Sequence, residues 1–420
     1  MNTPEIDTGI ANIVGLWQAG DTKRAEFELG HLLIRYPDRA LVLTAAADFY
    51  YQNCNMRQAL PYARKALELV KGDAALEEVL YLSKIMCCIG EDELANALAR
   101  NYLNSNQCNE NQIAKLADHF LNLDLIDESV DLFNAVGEQH LDDFGMAMFG
   151  TAKLYAGDIT GARDVFTNAI KRNPGNAIAA LQLSMLNVSD GRQERIAAWE
   201  NLCQTPIPDA DRSHLLFALF HEYDALGDTA NAFRALASAN GIREKIQPPK
   251  SDVVAELIED YISRLNKIDF KQDMATSRDA PIPVFIVGLP RTGTTLLEKN
   301  LMEIADLQAV GENLNFRKSM EIQLGSVFTS PFEIANRPFD EILDFTELGR
   351  RYREKTLWTA EGRPYYTDKE TFNFAYVGLI AKAIPEARII HIRRNPMDAC
   401  FSSFKQSFAF GIFPASYALS

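Results

Sequence analysis

The chain has 420 residues, 47% hydrophobic and 24% charged, which is the composition of an ordinary soluble protein with two or more domains. Its formal net charge is −15, and the excess acid lies in residues 1–280, which carry 26 basic and 41 acidic side chains, whereas residues 281–420 carry 16 of each. Because an acidic surface repels a phosphate backbone, we expect no nucleic-acid partner for the first two-thirds of the chain.

The sequence lacks the patterns of membrane and secreted proteins. No apolar run approaches the roughly 20 residues that a membrane span needs, and the first residues, MNTPEIDTGIANIV, lack the basic and apolar regions of a secretory signal. The six cysteines form no CxxC pair, and neither they nor the six histidines have metal-ligand spacing. We therefore expect a cytoplasmic protein with reduced thiols, no membrane span and no metal.

Residues 1–240 contain a repeat. A short loop with Gly and Asp or Asn is followed by a small residue and an amphipathic helix, at intervals of 33 to 36 residues. The small residues that mark the register are Ala25, Ala59, Ala95, Ser129, Ala162, Ala197 and Ala232. A period near 34 with two helices per repeat resembles the tetratricopeptide repeat. The resemblance implies an all-α solenoid that binds a protein or peptide, with a spacer or dimerisation arm as the alternative.

Three segments follow from the patterns along the chain. Residues 252–266 form one more amphipathic helix, which we expect to close the solenoid at residue 268. The segment FKQDMATSRDAPIP (residues 270–283) is polar, contains two prolines and lacks periodicity, so residues 269–281 are interpreted as a linker. From residue 282 to residue 420, strand and helix patterns alternate, which predicts an α/β domain with a parallel sheet.

The alternating pattern of residues 282–420 predicts the positions of individual strands and helices. Strands are expected at 284–288, 365–367 and 388–392, and residues 307–310 form a short strand or turn. Helices are expected at 294–304, 340–358 and 371–384, and a last helix begins at Pro396. Proline is favoured in the first turn of a helix, where its missing N–H is not needed.

The segment Gly288–Thr295 (GLPRTGTT) follows the first strand and predicts an anion site. Its glycines and proline break the strand, and Thr294 opens a helix whose first N–H groups have no partners within the helix. Arg291 and two threonine hydroxyls add further donors. The spacing almost fits the nucleotide P-loop, but Thr294 replaces the lysine that neutralises the β- and γ-phosphates. An unusual P-loop nucleotide kinase is therefore disfavoured.

A second segment, RRNPMDACFS, places Arg394 at a strand end and Ser402 eight residues later on the next helix. Together the two segments resemble the sulfotransferases, which use 3′-phosphoadenosine 5′-phosphosulfate (PAPS) as donor. The resemblance implies that the first motif wraps the 5′-phosphosulfate, and that Arg394 and Ser402 hold the 3′-phosphate. The positions that match the first motif are Pro290, Arg291, Thr292, Gly293, Thr294 and Thr295. The alternative is that Arg291 and Arg394 form surface ion pairs.

Within this family the chain looks most like the tyrosylprotein sulfotransferases and bacterial proteins that join tetratricopeptide repeats to such a domain. The resemblance implies that Glu312, in a Gly-Glu element, is the general base, that Lys369 assists the leaving group, and that Arg291 stabilises the transferred group. The alternatives are a capping or solvent-facing role for Glu312, and an ion pair of Lys369 with Asp368 or Glu370.

We therefore expect transfer of a sulfuryl group from PAPS to a hydroxyl, with protein tyrosine as the candidate acceptor and the repeats recruiting the partner. Because the repeats are acidic, a neutral or basic partner is easier to reconcile with them than an acidic one. Domains of this family usually extend beyond the point where this sequence stops, so we expect an incomplete domain. The alternative function is a repeat scaffold with a vestigial nucleotide-binding domain.

Overall fold

The computed structural model describes residues 3–70, 74–248, 251–270, 281–328 and 330–408. Most of the predicted linker and the final residues of the predicted α/β domain lie outside the described residues. Contacts divide the chain into two compact units, one formed by residues 1–106, 256–289 and 293–392, and the other by residues 107–255, 290–292 and 393–420. The predicted boundaries at residues 268 and 282 stay a prediction.

Within the described ranges, none of the helices is both long enough and apolar enough to cross a membrane.

The predicted helical repeats are confirmed: up to residue 246 the described chain consists of helices that follow one another in pairs joined by short turns. The pairs are α1 (Thr3–Gln18) with α2 (Thr22–Arg35), α3 (Ala40–Gln52) with α4 (Met56–Leu69), α5 (Leu76–Cys88) with α6 (Asp92–Ser105), α7 (Glu110–Asn122) with α8 (Ile126–Val136), α9 (Asp143–Tyr155) with α10 (Ile159–Arg172), α11 (Ala177–Met185) with α12 (Arg192–Cys203), and α13 (Asp209–Ala225) with α14 (Thr229–Ile246).

The predicted repeat register is right at six positions and wrong at one. Ala25, Ala59, Ala95, Ser129, Ala162 and Ala232 are buried, at 2% exposure or less, as expected where two helices approach closely. Ala197 is exposed. The inward face of α12 carries Arg192, Arg195, Ile196 and Trp199, which have helical spacing. Ile196, one residue before Ala197, is the buried residue at this point of the helix.

The shifted register of α12 has an electrostatic cause. Glu222 on α13 is fully buried and binds both Arg192 and Arg195 at 2.7 Å. A buried carboxylate is tolerated only when paired and hydrogen-bonded. These ion pairs therefore determine which face of α12 turns inward. The spacing of small residues in the sequence gives no information about such pairs.

The predicted parallel sheet is also confirmed. Its four strands are hydrogen-bonded in the order β2-β3-β1-β4, and every pairing is parallel. The elements after residue 250 are α15 (Ser251–Leu265), β1 (Ile282–Val287), α16 (Thr294–Ile304), β2 (Leu307–Gln308), α17 (Asn315–Leu324), α18 (Phe339–Ile342), α19 (Phe345–Thr356), β3 (Tyr365–Asp368), α20 (Asn373–Ala383), β4 (Arg388–His391) and α21 (Pro396–Phe404).

Three features of this region differ from the expectation. Helix α17 was not predicted. The single helix expected at 340–358 is divided into α18 and α19, because the Asp344 side chain caps a new helix by accepting from the Glu347 N–H at 3.0 Å. Helix α15, expected to close the repeats, packs in the core of residues 282–392 (hereafter the α/β domain): Tyr261 is 3% exposed there and its hydroxyl donates to Ala375 O at 2.6 Å.

The first repeats and the α/β domain share one compact unit. The turn between α3 and α4 contacts the segment after α17, where Val327 N–H donates to Cys54 O at 3.3 Å. Lys318 on α17 donates to the Tyr51 hydroxyl at 3.0 Å, and Lys355 on α19 pairs with Glu91 at 3.2 Å. The second and third repeats are therefore packed against the domain.

Candidate active site

The loop after β1 has the backbone expected of an anion site. Arg291 has φ of 65° and Gly293 has φ of 109°, so two left-handed residues lie within three positions. Such a conformation costs energy at a residue with a side chain, and functional sites are among the places where proteins retain it. Helix α16 begins at Thr294, as predicted, and no side chain in the described part of the chain caps it at Gly293.

Arg291, Arg394 and Ser402, which were predicted from separate motifs, contact one another. The Arg291 Nε donates to the Ser402 Oγ at 3.4 Å, and an Nη of Arg394 donates to the Arg291 carbonyl at 3.1 Å. Both arginines are exposed. Two arginine side chains that solvent can reach, on residues that contact each other, favour the binding of an anion.

Helix α21, which carries Ser402, is anchored on the last helical pair. Its Phe404 is 3% exposed within the apolar cluster that includes residues of α13 and α14. The buried side chain of Asn240 donates to the Phe404 carbonyl at 3.0 Å, and Arg243 donates to the Ser407 hydroxyl at 2.9 Å. The repeats thus hold the segment of residues 393–408, which we call the C-terminal arm.

Glu312 and Lys369 also meet, at 3.4 Å between Lys369 Nζ and Glu312 Oε1. The Lys369 side chain is 7% exposed, whereas that of Glu312 is 64% exposed. The Lys369 N–H donates to the Gly311 carbonyl at 2.9 Å, which fixes the Gly-Glu turn to the end of β3. A solvent-accessible carboxylate beside a buried ammonium group can accept a proton while the ammonium group stabilises a departing anion.

Asp368 and Glu370, the alternative ion-pair partners expected for Lys369, make other hydrogen bonds. Asp368 accepts from Tyr352 at 3.0 Å and from Asn373 at 2.7 Å, and burial raises its pKa to about 8. Burial also raises the pKa of Glu370. Lys369 pairs instead with Glu312 and with Glu298.

Asp368→Asn is expected to remove a pH dependence of the folding free energy. Since the pKa of Asp368 is about 8 in the folded chain against an ordinary 3.8, the folded state keeps a proton between these values that the unfolded state has released. Stability therefore falls as pH rises through this window, by at most about 1.4 kcal/mol per pH unit. Asparagine resembles the protonated carboxyl and does not titrate.

The measurement is urea unfolding of both proteins between about pH 5 and pH 8. The stability of the wild type minus that of the variant should decline with rising pH. Burial lowers the pKa of His214 and His221 to about 4, which gives the opposite trend below the ordinary histidine pKa, but this trend is common to both proteins and cancels. A difference that stays constant with pH would contradict a buried neutral Asp368.

Glu298 is a site residue that the sequence analysis missed. It is 5% exposed, its Oε1 accepts from the Gly311 N–H at 3.2 Å and from the Thr367 hydroxyl at 2.5 Å, and Lys369 Nζ lies 4.0 Å away. One sequence signal could have indicated Glu298: it follows Thr294 by four residues, so both residues lie on the same face of α16.

The remaining predicted donor-loop residues lie at the surface or just below it. Pro290, Thr292 and Thr294 are half-buried, and Gly293 and Thr295 are exposed. The hydroxyls of both threonines in the first turn of α16 are therefore positioned on a helix N-terminus that carries partial positive charge. This arrangement can bind a phosphate or a sulfate ester.

Comparison with known protein families identifies the family of the second part of the chain. The model of the sulfotransferase family matches residues 283–419. The chain joins tetratricopeptide-like repeats to a sulfotransferase-family domain. The family expected from the two motifs is therefore confirmed for the second part of the chain.

One individual protein has a similar sequence, and its description gives no activity. An uncharacterized protein of Aquifex aeolicus (strain VF5) is 27% identical over 263 residues, which are 60% of this chain and 34% of that protein. This chain therefore matches about a third of the relative's length.

Two crystal structures of repeat proteins are also similar. One is the C-terminal part of a TPR repeat-containing protein from Cytophaga hutchinsonii, with 15% identity, coverage of 58% of this chain and 98% of that chain, and a TM-score of 0.38. The other is a tetratricopeptide repeat protein from Parabacteroides merdae ATCC 43184, with 17% identity, coverage of 60% and 97%, and a TM-score of 0.39.

Proposed function

We propose that this protein transfers a sulfuryl group from PAPS to a hydroxyl, and that the acceptor is a tyrosine of a protein or peptide. The observation that carries the proposal is the contact of Arg291 with Ser402 and of Arg394 with Arg291. These contacts join residues 111 and 103 positions apart in the chain, and this supports a common role for them in donor binding.

The residues of the chain supply each part of the reaction. Residues 290–295 bind the phosphosulfate through N–H groups, threonine hydroxyls and the Arg291 guanidinium, and Arg394 and Ser402 bind the 3′-phosphate. The acceptor oxygen forms a bond to sulfur in line with the bond that breaks between sulfur and the bridging phosphate oxygen. Glu312 accepts the hydroxyl proton, and Lys369 and Arg291 stabilise the negative charge on the phosphate oxygen of departing 3′,5′-ADP.

A phenol suits this arrangement because its pKa of about 10 lies far below that of an alkyl alcohol, so proton transfer to a carboxylate base costs less free energy. The acidic repeats favour a tyrosine with neutral or basic neighbours, since 41 acidic against 26 basic side chains in residues 1–280 repel an acidic peptide. Recruitment of such a peptide by the repeats is part of the proposal.

The test is transfer of radiolabelled sulfur from PAPS to small phenols and to three tyrosine peptides that differ only in their acidic, neutral or basic flanks. Each peptide has a phenylalanine counterpart as control. We expect label in the neutral and basic tyrosine peptides and none in the phenylalanine peptides. Label in small phenols alone would overturn the peptide acceptor. Tight 3′,5′-ADP binding without transfer to any hydroxyl would overturn the enzymatic proposal in favour of a scaffold.

A further inference from the structure

Glu298 lies where three segments of the α/β domain meet beside Glu312 and Lys369. Helix α16 supplies the carboxylate, the turn at Gly311 supplies an N–H, and β3 supplies the Thr367 hydroxyl. Thr367 Oγ1 in turn accepts from the Val310 N–H at 3.1 Å. The Glu298 side chain therefore holds Gly311 directly and Val310 through the Thr367 hydroxyl, and these two residues lead to Glu312.

The burial pattern of α16 is unusual. Its buried side chain is Glu298, whereas Leu296 and Ile304 are 68% and 80% exposed. An amphipathic helix ordinarily buries its leucines and exposes its glutamates. Burying a carboxylate costs free energy unless charge and hydrogen bonds compensate it, and Lys369 and two hydrogen bonds supply that compensation here.

Lys369 is placed between two carboxylates of different character. Glu298 is 7% exposed in its side chain at 4.0 Å, and Glu312 is 64% exposed at 3.4 Å. Because the exposed carboxylate is free to move toward an acceptor hydroxyl, the buried carboxylate is the fixed partner that keeps the ammonium group in place.

We propose that Glu298 is a positioning residue, which orients the Gly311–Glu312 turn and Lys369 against the start of α16. The inference rests on the proposed function, since it concerns the general base and the leaving-group cation of that reaction. Glu298 touches no reacting atom. It acts through the Gly311 N–H, the Thr367 hydroxyl and the Lys369 ammonium group.

The variants separate its hydrogen bonds from its charge. Glu298→Ala removes both, whereas Glu298→Gln keeps an oxygen for Gly311 and Thr367 and removes the charge. Glu303→Gln, an exposed glutamate of the same helix, is the matched control. A misplacement of reacting groups by about 1 Å costs about 100-fold in rate, so kcat of Glu298→Ala should fall by about this factor.

The expected pattern distinguishes positioning from a merely structural role. Glu298→Ala should lower kcat while the KM for PAPS and the Kd of 3′,5′-ADP stay within about threefold, and Glu298→Gln should recover part of the lost kcat. Glu303→Gln should match the wild type. If both Glu298 variants keep wild-type kcat, or lose kcat and 3′,5′-ADP binding in the same proportion, the positioning role is wrong.

Hydrogen–deuterium exchange tests the inference without any turnover. In Glu298→Ala, peptides that contain the Gly311–Glu312 turn should exchange faster than in the wild type, with recovery in Glu298→Gln. Unchanged exchange in this turn would overturn the positioning role whether or not sulfuryl transfer is found. Faster exchange together with an inactive wild type would instead contradict the proposed reaction and leave the ordering of the turn by Glu298 supported.

Discussion

Replacing Glu312 with glutamine is expected to lower kcat for sulfuryl transfer by about 10²- to 10⁴-fold, the usual contribution of a general base. Glutamine keeps the size and the acceptor oxygen of the side chain but cannot take the hydroxyl proton. Because Glu312 is largely exposed, contacts Lys369 and has no part in donor binding in the proposed mechanism, the Kd of 3′,5′-ADP should stay close to that of the wild type.

Kinetics with labelled PAPS and calorimetric titration with 3′,5′-ADP measure these two quantities. Glu341→Gln is the matched control, because Glu341 is an exposed glutamate of α18 that has no part in the proposed chemistry. A Glu312 variant with unchanged kcat would remove Glu312 from the mechanism. Loss of 3′,5′-ADP binding would instead assign it to the donor site.

Replacing Glu321 with alanine is expected to destabilise the protein by about 3–5 kcal/mol, the cost of leaving a buried charge without its partner. The fully buried Glu321 pairs with Arg317 at 3.0 Å and with Lys318 at 3.3 Å, and it accepts from the Phe328 N–H at 2.9 Å. Burial alone lowers the pKa of Lys318, but Glu321 and Tyr51 raise it overall. The variant would therefore bury an uncompensated cation.

A double-mutant cycle measures this coupling by urea unfolding. Glu321→Ala with Lys318→Met should be less destabilised than the sum of the single variants, because no unpaired ammonium group is left buried. The control is Glu347→Ala on α19, whose ion pairs with Arg350 and Arg351 are partly exposed and should contribute less than about 1 kcal/mol. A loss from Glu321→Ala no larger than that of the control would contradict the account.

Local sequence signals were sufficient to predict where the helices that follow β1 and β4 begin. Thr294 was expected to open a helix because Gly293 precedes an apolar pattern with helical spacing, and α16 begins there. The start of α21 at Pro396 followed from the same kind of signal. The left-handed backbone at Arg291 could not be predicted, because it depends on how the loop is held at both ends.

Contacts between distant segments were not accessible from the sequence. Glu298 was missed because its burial depends on Gly311 and Thr367, 13 and 69 residues away. The outward position of Ala197 depends on Glu222 in the next helix pair, and the periodicity of small residues does not contain such a pairing. The place of α15 in the α/β core follows from the Tyr261 contact with Ala375, across 114 residues.

The repeats take a structural part in the proposed site in addition to any recruitment. In the first compact unit, Lys318 and Lys355 attach α17 and α19 to the second and third repeats, and Glu312 lies just before α17. In the other compact unit, Asn240 and Arg243 hold the C-terminal arm. The segment before α17 and the C-terminal arm are therefore each supported by repeats of their own unit.

The central claim of the proposal is that Arg291, Arg394 and Ser402, which contact one another, bind a 3′-phosphorylated adenine nucleotide. Calorimetric titration of the wild type and of Arg394→Ala with 3′,5′-ADP, ATP and GTP tests it most directly. We expect 3′,5′-ADP to bind more tightly than ATP or GTP, and Arg394→Ala to weaken 3′,5′-ADP by about 10- to 100-fold, the loss of a charge-assisted hydrogen bond. Tighter binding of ATP than of 3′,5′-ADP, unaffected by Arg394→Ala, would contradict the account.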